Sequence, residues 1–373
     1  MNCCVKLLNY KLQLSTLSIH NFKNITQLEV VPSPKLTCIV GNNGEGKTNL
    51  LDAIYMLSMC KSSVGLTDRQ CICYGEDFFV LKGVYSRLLT EETIICGMSK
   101  NDGKSIKRNG KTYDKLSEHI GWLPLVMISP ADSVLISDSG EERRRYMNGV
   151  LAQMDSRYLS AINRYNALLA QRNKMLKMHA AAHYEVIEAL DVQLSQYGQQ
   201  VYEFRTQLAA QLQTPFVRYY QAIAQDTEEE VSLHYLSDLQ ESTLPVLLQQ
   251  QWTKDCTLQY TTAGIHRDDL QLKMGGHLVR KLGSQGQQKT MLLALKLAQA
   301  DILQQRLGMN PILLLDDIFD KLDTQRIRRL IHLVATENFG QIFLTDSNKE
   351  RVQTLLQEIE EHKLLEMKGG KII

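Results

Sequence analysis

The sequence predicts an α/β protein with a split core, the two halves of one head separated by an inserted helical arm. Three observations carry this reading. A glycine-rich loop, GNNGEGKT at residues 41–48, follows a short apolar run and opens a helical pattern. From about 141 to 224 Gly and Pro almost vanish and apolar residues recur at helical spacing. From Gly283 the text alternates helix, strand, helix, strand, the order that builds a largely parallel sheet. The expected division is a first half of the head at 1–140, a helical arm at 141–230 and a second half of the head at 231–373.

Each element follows from local pattern. Residues 14–40 read as strands, ending in the apolar run KLTCIV. Leu50, Leu51, Ile54, Tyr55 and Leu57 form one stripe, which predicts a helix from Lys47 to about Met59. Residues 78–128 return to strand and turn, with Asn109-Gly110 placed for a type I′ hairpin. In the arm, Tyr158, Leu159, Ile162, Tyr165, Leu168 and Leu169 mark two or three long helices, with Gly198 and Pro215 as expected breaks. No heptad is sustained, so a compact arm is expected rather than a coiled coil. EEEVSLHYLSD, CTLQYTT and DDLQLKM read as strand, then PILLLDDI as a buried strand, 325–335 as helix and QIFLTD as strand.

Composition narrows the class. A chain of 373 residues is long for one core, and 44% hydrophobic with 22% charged residues is ordinary for a globular protein. Net charge is +1, so any nucleic-acid surface must be a local patch. The apolar runs are too short to span a bilayer, and the first residues lack the apolar core of a signal peptide. Eight cysteines without a C-x-x-C pair argue against zinc and for reduced thiols in a cytoplasmic protein.

The chemistry sits in three motifs. GNNGEGKT fits G-x-x-x-x-G-K-[ST], whose glycines let backbone N–H groups wrap phosphates. Gly41, Asn42, Asn43, Gly44, Glu45, Gly46, Lys47, Thr48 and Asn49 are therefore the expected nucleotide-binding residues. Lys47 would supply charge to the β and γ phosphates, and the Thr48 hydroxyl would ligate Mg²⁺. The strand PILLLDDI ends in two carboxylates. Asp316 suits the metal side, and Asp317 suits polarising the attacking water. Aspartate at 317 reaches less far than the more usual glutamate, so slow hydrolysis is expected. An acidic turn after a core strand is the plainer alternative. The third motif, Gly283-Ser284-Gln285-Gly286, opens an apolar helix whose free N–H groups favour an anion. Ser284 with Gln287 also matches a capping box, so this serine is either a helix cap or a phosphate ligand.

The order of loop first, Gly-Ser helix and acidic strand last, resembles the ABC-type ATPase heads of the SMC-like group. In that architecture two heads sandwich two nucleotides, and Ser284, Gly286 and Gln287 would cap the γ-phosphate held by a second copy. The segments NFKN, GNNGEGKTNLLDAIYMLS, GEERRRYMNGVL, YLSAINRYNALLAQRNKMLK, AGIHRDDLQL, GSQGQQKTMLLALKLAQ and PILLLDDIFDKLD resemble, in order, the motifs of the RecF family of recombination mediators. The resemblance runs from about Leu14 to Asp346. It implies a DNA-binding ATPase that uses ATP and Mg²⁺ and forms an ATP-dependent homodimer. Such a protein works with RecO and RecR to load RecA at single-strand gaps in DNA repair, replication and the SOS response. It also implies that Asp323 is the D-loop residue. Arg144, Arg145, His266, Arg267, Asp268 and Asp269 match family segments, with salt bridging between arm and head as the plainer role.

The chain departs from the family pattern in places. Ser62-Ser63-Val64 stands where SFR is common, Asp52 where Glu is common, and Ile265 where proline is usual. Asp346 and Ser347 occupy the place of a transporter's switch histidine. The residues before Leu14 exceed the usual start, as an upstream start codon would leave them. No Q-loop glutamine can be assigned. Rival readings are an ATPase subunit of a transporter or of an SMC-like nuclease. The former predicts an LSGGQ-like signature and the latter an added metal-carboxylate domain. The basic clusters Lys104, Lys107, Arg108 and Lys111, and Arg172, Lys174 and Lys177, are candidates for sequence-independent phosphate contact, against the plainer reading of solvated faces.

Overall fold

The computed structural model describes residues 12–373 apart from 89, 179–182, 226–228, 321, 338 and 358. Contacts divide the chain into two compact units. The first contains residues 12–133, Tyr219–Gln225 and Gln285–Ile373, the second Val134–Arg218 with residues 229–284.

The first unit is built on two six-stranded sheets. One runs Lys371–Ile372, His362–Lys368, Leu36–Val40, Ile342–Asp346, Ile312–Leu315, Leu125–Ile128 in spatial order. Its neighbours are parallel except for the hairpin formed by His362–Lys368 and Lys371–Ile372. Ile312–Leu315 and Leu125–Ile128 are buried at every position, as a parallel sheet covered on both faces requires. The other sheet is antiparallel, in the order Ile25–Val30, Leu12–Phe22, Phe78–Arg87, Thr90–Ser99, Gly103–Arg108, Lys111–Thr112. Its last hairpin turns at Asn109 (φ 49°) and Gly110 (φ 81°), the pair of left-handed residues that a type I′ turn needs. The helix Lys47–Met59 packs with both sheets in one core. Its buried residues go well beyond a single stripe. Between Thr290 and Leu303 the helix Gln285–Leu307 is also almost wholly buried.

The second unit holds the helices Gly140–Met154 and Ser156–Lys177, most of Tyr184–Ala224, and a three-stranded sheet of Val231–Leu236, Asp269–Met274 and His277–Leu278. Residues 231–284, placed by the sequence in the second half of the head, group here with the arm helices. The reason is ionic as well as apolar. Arg143 makes a two-pronged bond to Asp269 at 2.6 and 3.1 Å, and buried Arg205 reaches Asp268 at 2.7 Å. Of the six apolar residues expected along the second helix, Tyr158, Ile162, Tyr165 and Leu168 are buried, while Leu159 and Leu169 are only partly so.

Two local expectations change. Gly198 and Pro215 do not break the arm, because both lie inside the single 41-residue helix Tyr184–Ala224. A Cβ on Gly198 would meet Leu244 at 2.7 Å and Tyr165 at 3.3 Å, so the glycine permits close packing instead of ending the helix. Around Pro215, Leu212, Phe216, Tyr219 and Tyr220 are each at most 1% exposed, and this burial outweighs the roughly 3 kcal/mol that an internal proline costs. CTLQYTT is not a strand. Cys256 to Leu258 finish the helix Trp252–Leu258, and Gln259 (φ 61°) ends it in a left-handed cap.

That short helix carries Asp255, which together with Asp191 encloses Arg172. Arg172 and Asp255 are both fully buried, 2.7 Å apart, and Thr261 and Thr262 satisfy the remaining polar atoms. Asp255→Ala leaves a buried guanidinium without one of its two carboxylates and strands the Thr262 N–H and hydroxyl that the carboxylate accepts. It should lower unfolding stability by about 3–5 kcal/mol, measured by chemical denaturation of the full chain.

Candidate nucleotide-binding site

The parallel sheet aligns the ends of four strands. Leu315 sits opposite both Leu344 and Ile128, and Asp346 sits opposite Val40. The segments that follow Val40, Ile128 and Leu315 therefore meet at one edge, where α/β sheets hold ligands.

The glycine loop leaves Val40 and returns into the helix Lys47–Met59 through Gly46, whose φ of 108° suits glycine. A Cβ at Gly46 would also lie 2.8 Å from Asn24 Oδ1, and one at Gly41 would lie 2.3 Å from the carbonyl oxygen of Met367. Lys47, 4% exposed, folds its ammonium back onto Gly41 O (2.8 Å) and Asn42 O (3.1 Å). Asn42, Asn43 and Gly44 are exposed at the tip. Glu45 and Asn49, both in the expected nucleotide-binding set, turn their side chains to structural partners. The Glu45 carboxylate accepts from Gly369 N, while its carbonyl accepts from Gly370 N at 2.9 Å. Asn49 donates to Asn24 Oδ1 at 2.8 Å, and Asn24 donates to Gly44 O at 3.3 Å.

Although 268 positions apart, Thr48 and Asp316 are in direct contact, with Thr48 Oγ1 3.0 Å from Oδ2 and 3.1 Å from Oδ1. Burial pushes the Asp316 carboxyl above its usual range, and the Thr345 and Thr48 hydroxyls pull it back. Asp317 is half-buried and takes φ 43°, a left-handed conformation that aspartate tolerates better than most residues. Burial raises its carboxyl too, opposed first by the charge of Lys47. A carboxylate so raised is a better proton acceptor than a free one. Lys47, Thr48, Asp316 and Asp317 thus form one cluster. Thr345, unsuspected from the sequence, joins it by donating to Asp316 Oδ1 at 2.7 Å. Its only signal was a hydroxyl beside the last residue of QIFLTD.

The other expected residues have partners of their own. Ser284 is exposed immediately before the helix Gln285–Leu307, and Leu282 beside it is 72% exposed. Gly286 lies in the first turn, where its carbonyl accepts from Thr290 Oγ1 at 2.8 Å, and Gln287 follows it, partly buried. Asp323 caps the helix Thr324–Thr336 by accepting from Arg326 N at 2.9 Å, and this bond lowers its carboxyl below the usual range. Asp346, in the switch-histidine position, is held by Arg351 at 2.7 and 2.9 Å. The strand beside Asp316 runs on into Ser129 and Pro130, with no glutamine there.

Several charged candidates have structural partners. Arg144 donates to the Asp268 carbonyl at 2.7 Å, and Arg145 pairs with Glu141 and Glu142 on its own helix. His266 bonds Tyr165 OH at 2.8 Å and the Thr261 carbonyl at 3.0 Å, while Arg267 is exposed. Arg143, overlooked in the sequence, does more here than Arg145, because it is buried against Asp269. Both basic clusters shrink. Lys104 is spent on Asp68 and the Cys60 carbonyl, Arg108 stacks 4.1 Å from the Trp122 ring, and Arg172 is wholly buried. Lys107, Lys111, Lys174 and Lys177 remain exposed.

The sequence profile of the RecF/RecN/SMC N terminal domain family matches residues 13–363. A protein of Parabacteroides distasonis described as DNA replication and repair protein RecF is 50% identical over 92% of this chain and 93% of its own length. A solved structure of the recombination mediator protein RecF-ATP in the RecFOR pathway superposes with a TM-score of 0.87, at 28% identity, covering 98% of each chain. An Smc head domain from Pyrococcus furiosus, at 15% identity and a TM-score of 0.56, shares the fold. The chain belongs to the RecF family of DNA replication and repair proteins, within the SMC-like group of ABC-type ATPases.

Proposed function

We propose that this chain binds ATP with Mg²⁺, closes on it as a homodimer, and holds DNA non-specifically in recombinational repair, working with RecO and RecR to load RecA at gaps. The observation that carries this reading is the contact of Thr48 with Asp316 beside Lys47 and Asp317, in a chain whose solved relative is titled RecF-ATP. The functional division we propose is two halves of an ATPase head at 1–140 and 231–373 and an arm at 141–230, although residues 231–284 pack in one compact unit with the arm helices. Among the described residues no helix is long and apolar enough to cross a membrane, which suits work on DNA in the cytoplasm.

Gly41 to Lys47 supply backbone N–H groups and one cation to the phosphates. A hydroxyl and a carboxylate 3.0 Å apart are hard oxygen donors, fitting Mg²⁺ with phosphate and water completing its shell. The ion would be held by Thr48 and Asp316 and would supply charge neutralisation at the phosphates. Asp317 orients the attacking water and accepts its proton, and its short side chain keeps hydrolysis slow. The Ser284, Gly286 and Gln287 helix end serves the nucleotide of the second copy, with Asp323 along the same seam. DNA is held through exposed lysines such as Lys107, Lys111, Lys174 and Lys177, so binding should weaken steeply with salt.

Lys47→Ala and Ser284→Ala separate the two halves of this mechanism. Lys47→Ala should weaken ATP binding by roughly 10- to 100-fold, because a charge-assisted bond is worth about 1.5–3 kcal/mol. Ser284→Ala should bind ATP normally yet stay monomeric in light scattering, where the parent dimerises with ATP but not with ADP. Equal loss of ATP binding in both variants would overturn the trans role of the serine. In gel shifts, the parent should retain duplex and gapped DNA better with ATP than without, and retention at 200 mM salt should fall by at least about tenfold from 50 mM.

A further inference from the structure

We infer that Thr345 is a positioning residue for the two carboxylates that end the acidic strand, Asp316 and Asp317, setting the metal-side one through a fixed hydrogen-bond chain. The inference rests on the ATP–Mg²⁺ reading above and deepens it. Thr345 is fully buried in the strand Ile342–Asp346, which neighbours the strand of Asp316. Its hydroxyl accepts from Asp317 N at 3.0 Å and lies 2.7 Å from Asp316 Oδ1.

The direction of this chain is forced by donor chemistry. A backbone N–H can only donate, and a carboxylate can only accept. Asp317 N therefore occupies a lone pair of the Thr345 oxygen, and the single hydroxyl proton is directed at Asp316 Oδ1. Thr48 approaches the same carboxylate and shares its proton between Oδ1 and Oδ2. Two hydroxyls thus fix the rotation of Asp316 about its side chain, with Oδ1 held by Thr345 and Oδ2 by Thr48 alone.

The left-handed turn at Asp317 belongs to the same device. With φ at 43°, the chain turns off its strand immediately after the Asp317 N–H that meets Thr345. One hydroxyl thereby sets the metal-side carboxylate by its proton and the start of the water-side residue by its oxygen. Asp346, the next residue, is held by Arg351 at 2.7 Å, which anchors the end of the Thr345 strand.

Thr345→Val keeps the branched shape and strand preference while removing the hydroxyl, and Thr345→Ser restores it. A fluorescent ATP analogue titrated into the full chain with EDTA reads phosphate-loop binding. The same titration with Mg²⁺ reads the positioned carboxylate. Thr345→Val should bind like the parent in EDTA but lose roughly 10- to 100-fold of the Mg²⁺-dependent gain, the size of effect seen when a partner behind a metal ligand is removed. Its hydrolysis rate should fall by a similar factor, and Thr345→Ser should recover both.

Loss of EDTA binding in Thr345→Val to the same extent would make the hydroxyl merely structural and overturn the inference. So would an unchanged Mg²⁺ response in a folded Thr345→Val, or a Thr345→Ser that behaves like Val. A parent chain that binds no analogue under either condition would instead overturn the nucleotide-site reading on which the inference rests.

Discussion

Everything at the nucleotide edge depends on strand register in one parallel sheet. Val40, Ile128, Leu315 and Asp346 are far apart in the chain, yet pairing places their ends in line. Strand side chains alternate faces, so a one-residue slip in the pairing of Ile312–Leu315 would reverse every side chain along it. Slippage is opposed because each residue of that strand is at most 1% exposed, so sliding it by one would draw Asp316 into a wholly apolar stretch. The apolar purity that marks the strand in sequence is thus also what holds two carboxylates at their posts.

The cost of that placement is electrostatic. Asp316 is 4% exposed and Asp346 1%, and an aspartate taken from water without partners is strongly disfavoured. The protein supplies neutral hydroxyls to the first and a guanidinium to the second. The difference suits their positions. A salt-bridged carboxylate is already neutralised, whereas one held by hydroxyls has no cation of its own, as the proposed Mg²⁺ role of Asp316 requires. The second unit uses the salt-bridge solution in its interior, where Arg172 is enclosed by Asp191 and Asp255 and Arg205 pairs with Asp268.

The sequence makes the phosphate loop, the acidic strand, the hairpin at Asn109-Gly110 and the parallel α/β order legible because each is set by local chemistry. A glycine loop demands its own φ angles, and a buried strand demands apolar residues on both faces. What escaped depends on packing and on partners that local pattern does not show. Pro215 reads as a break until the burial of Phe216 and Tyr219 is weighed, and Gly198 until Leu244 is seen against it. Arg172 reads as a surface charge in a run with Lys174 and Lys177, and only Asp191 and Asp255 reveal it as buried. Thr345 has no sequence signature at all, because a threonine in a strand is ordinary until two aspartates lie beside it. Register, by contrast, could only be guessed.

The bracing of the phosphate loop gives the order of synthesis a physical meaning. Glu45 is clasped by the turn at Gly369 and Gly370, and Gly41 lies under the carbonyl of Met367. The loop leaves the ribosome more than three hundred residues before the segment that stiffens it. The contacts with Gly369, Gly370 and Met367 therefore become available to the glycine motif only after nearly the whole of this sequence has been made. Without that clasp the loop would have more backbone freedom to lose on closing around a ligand.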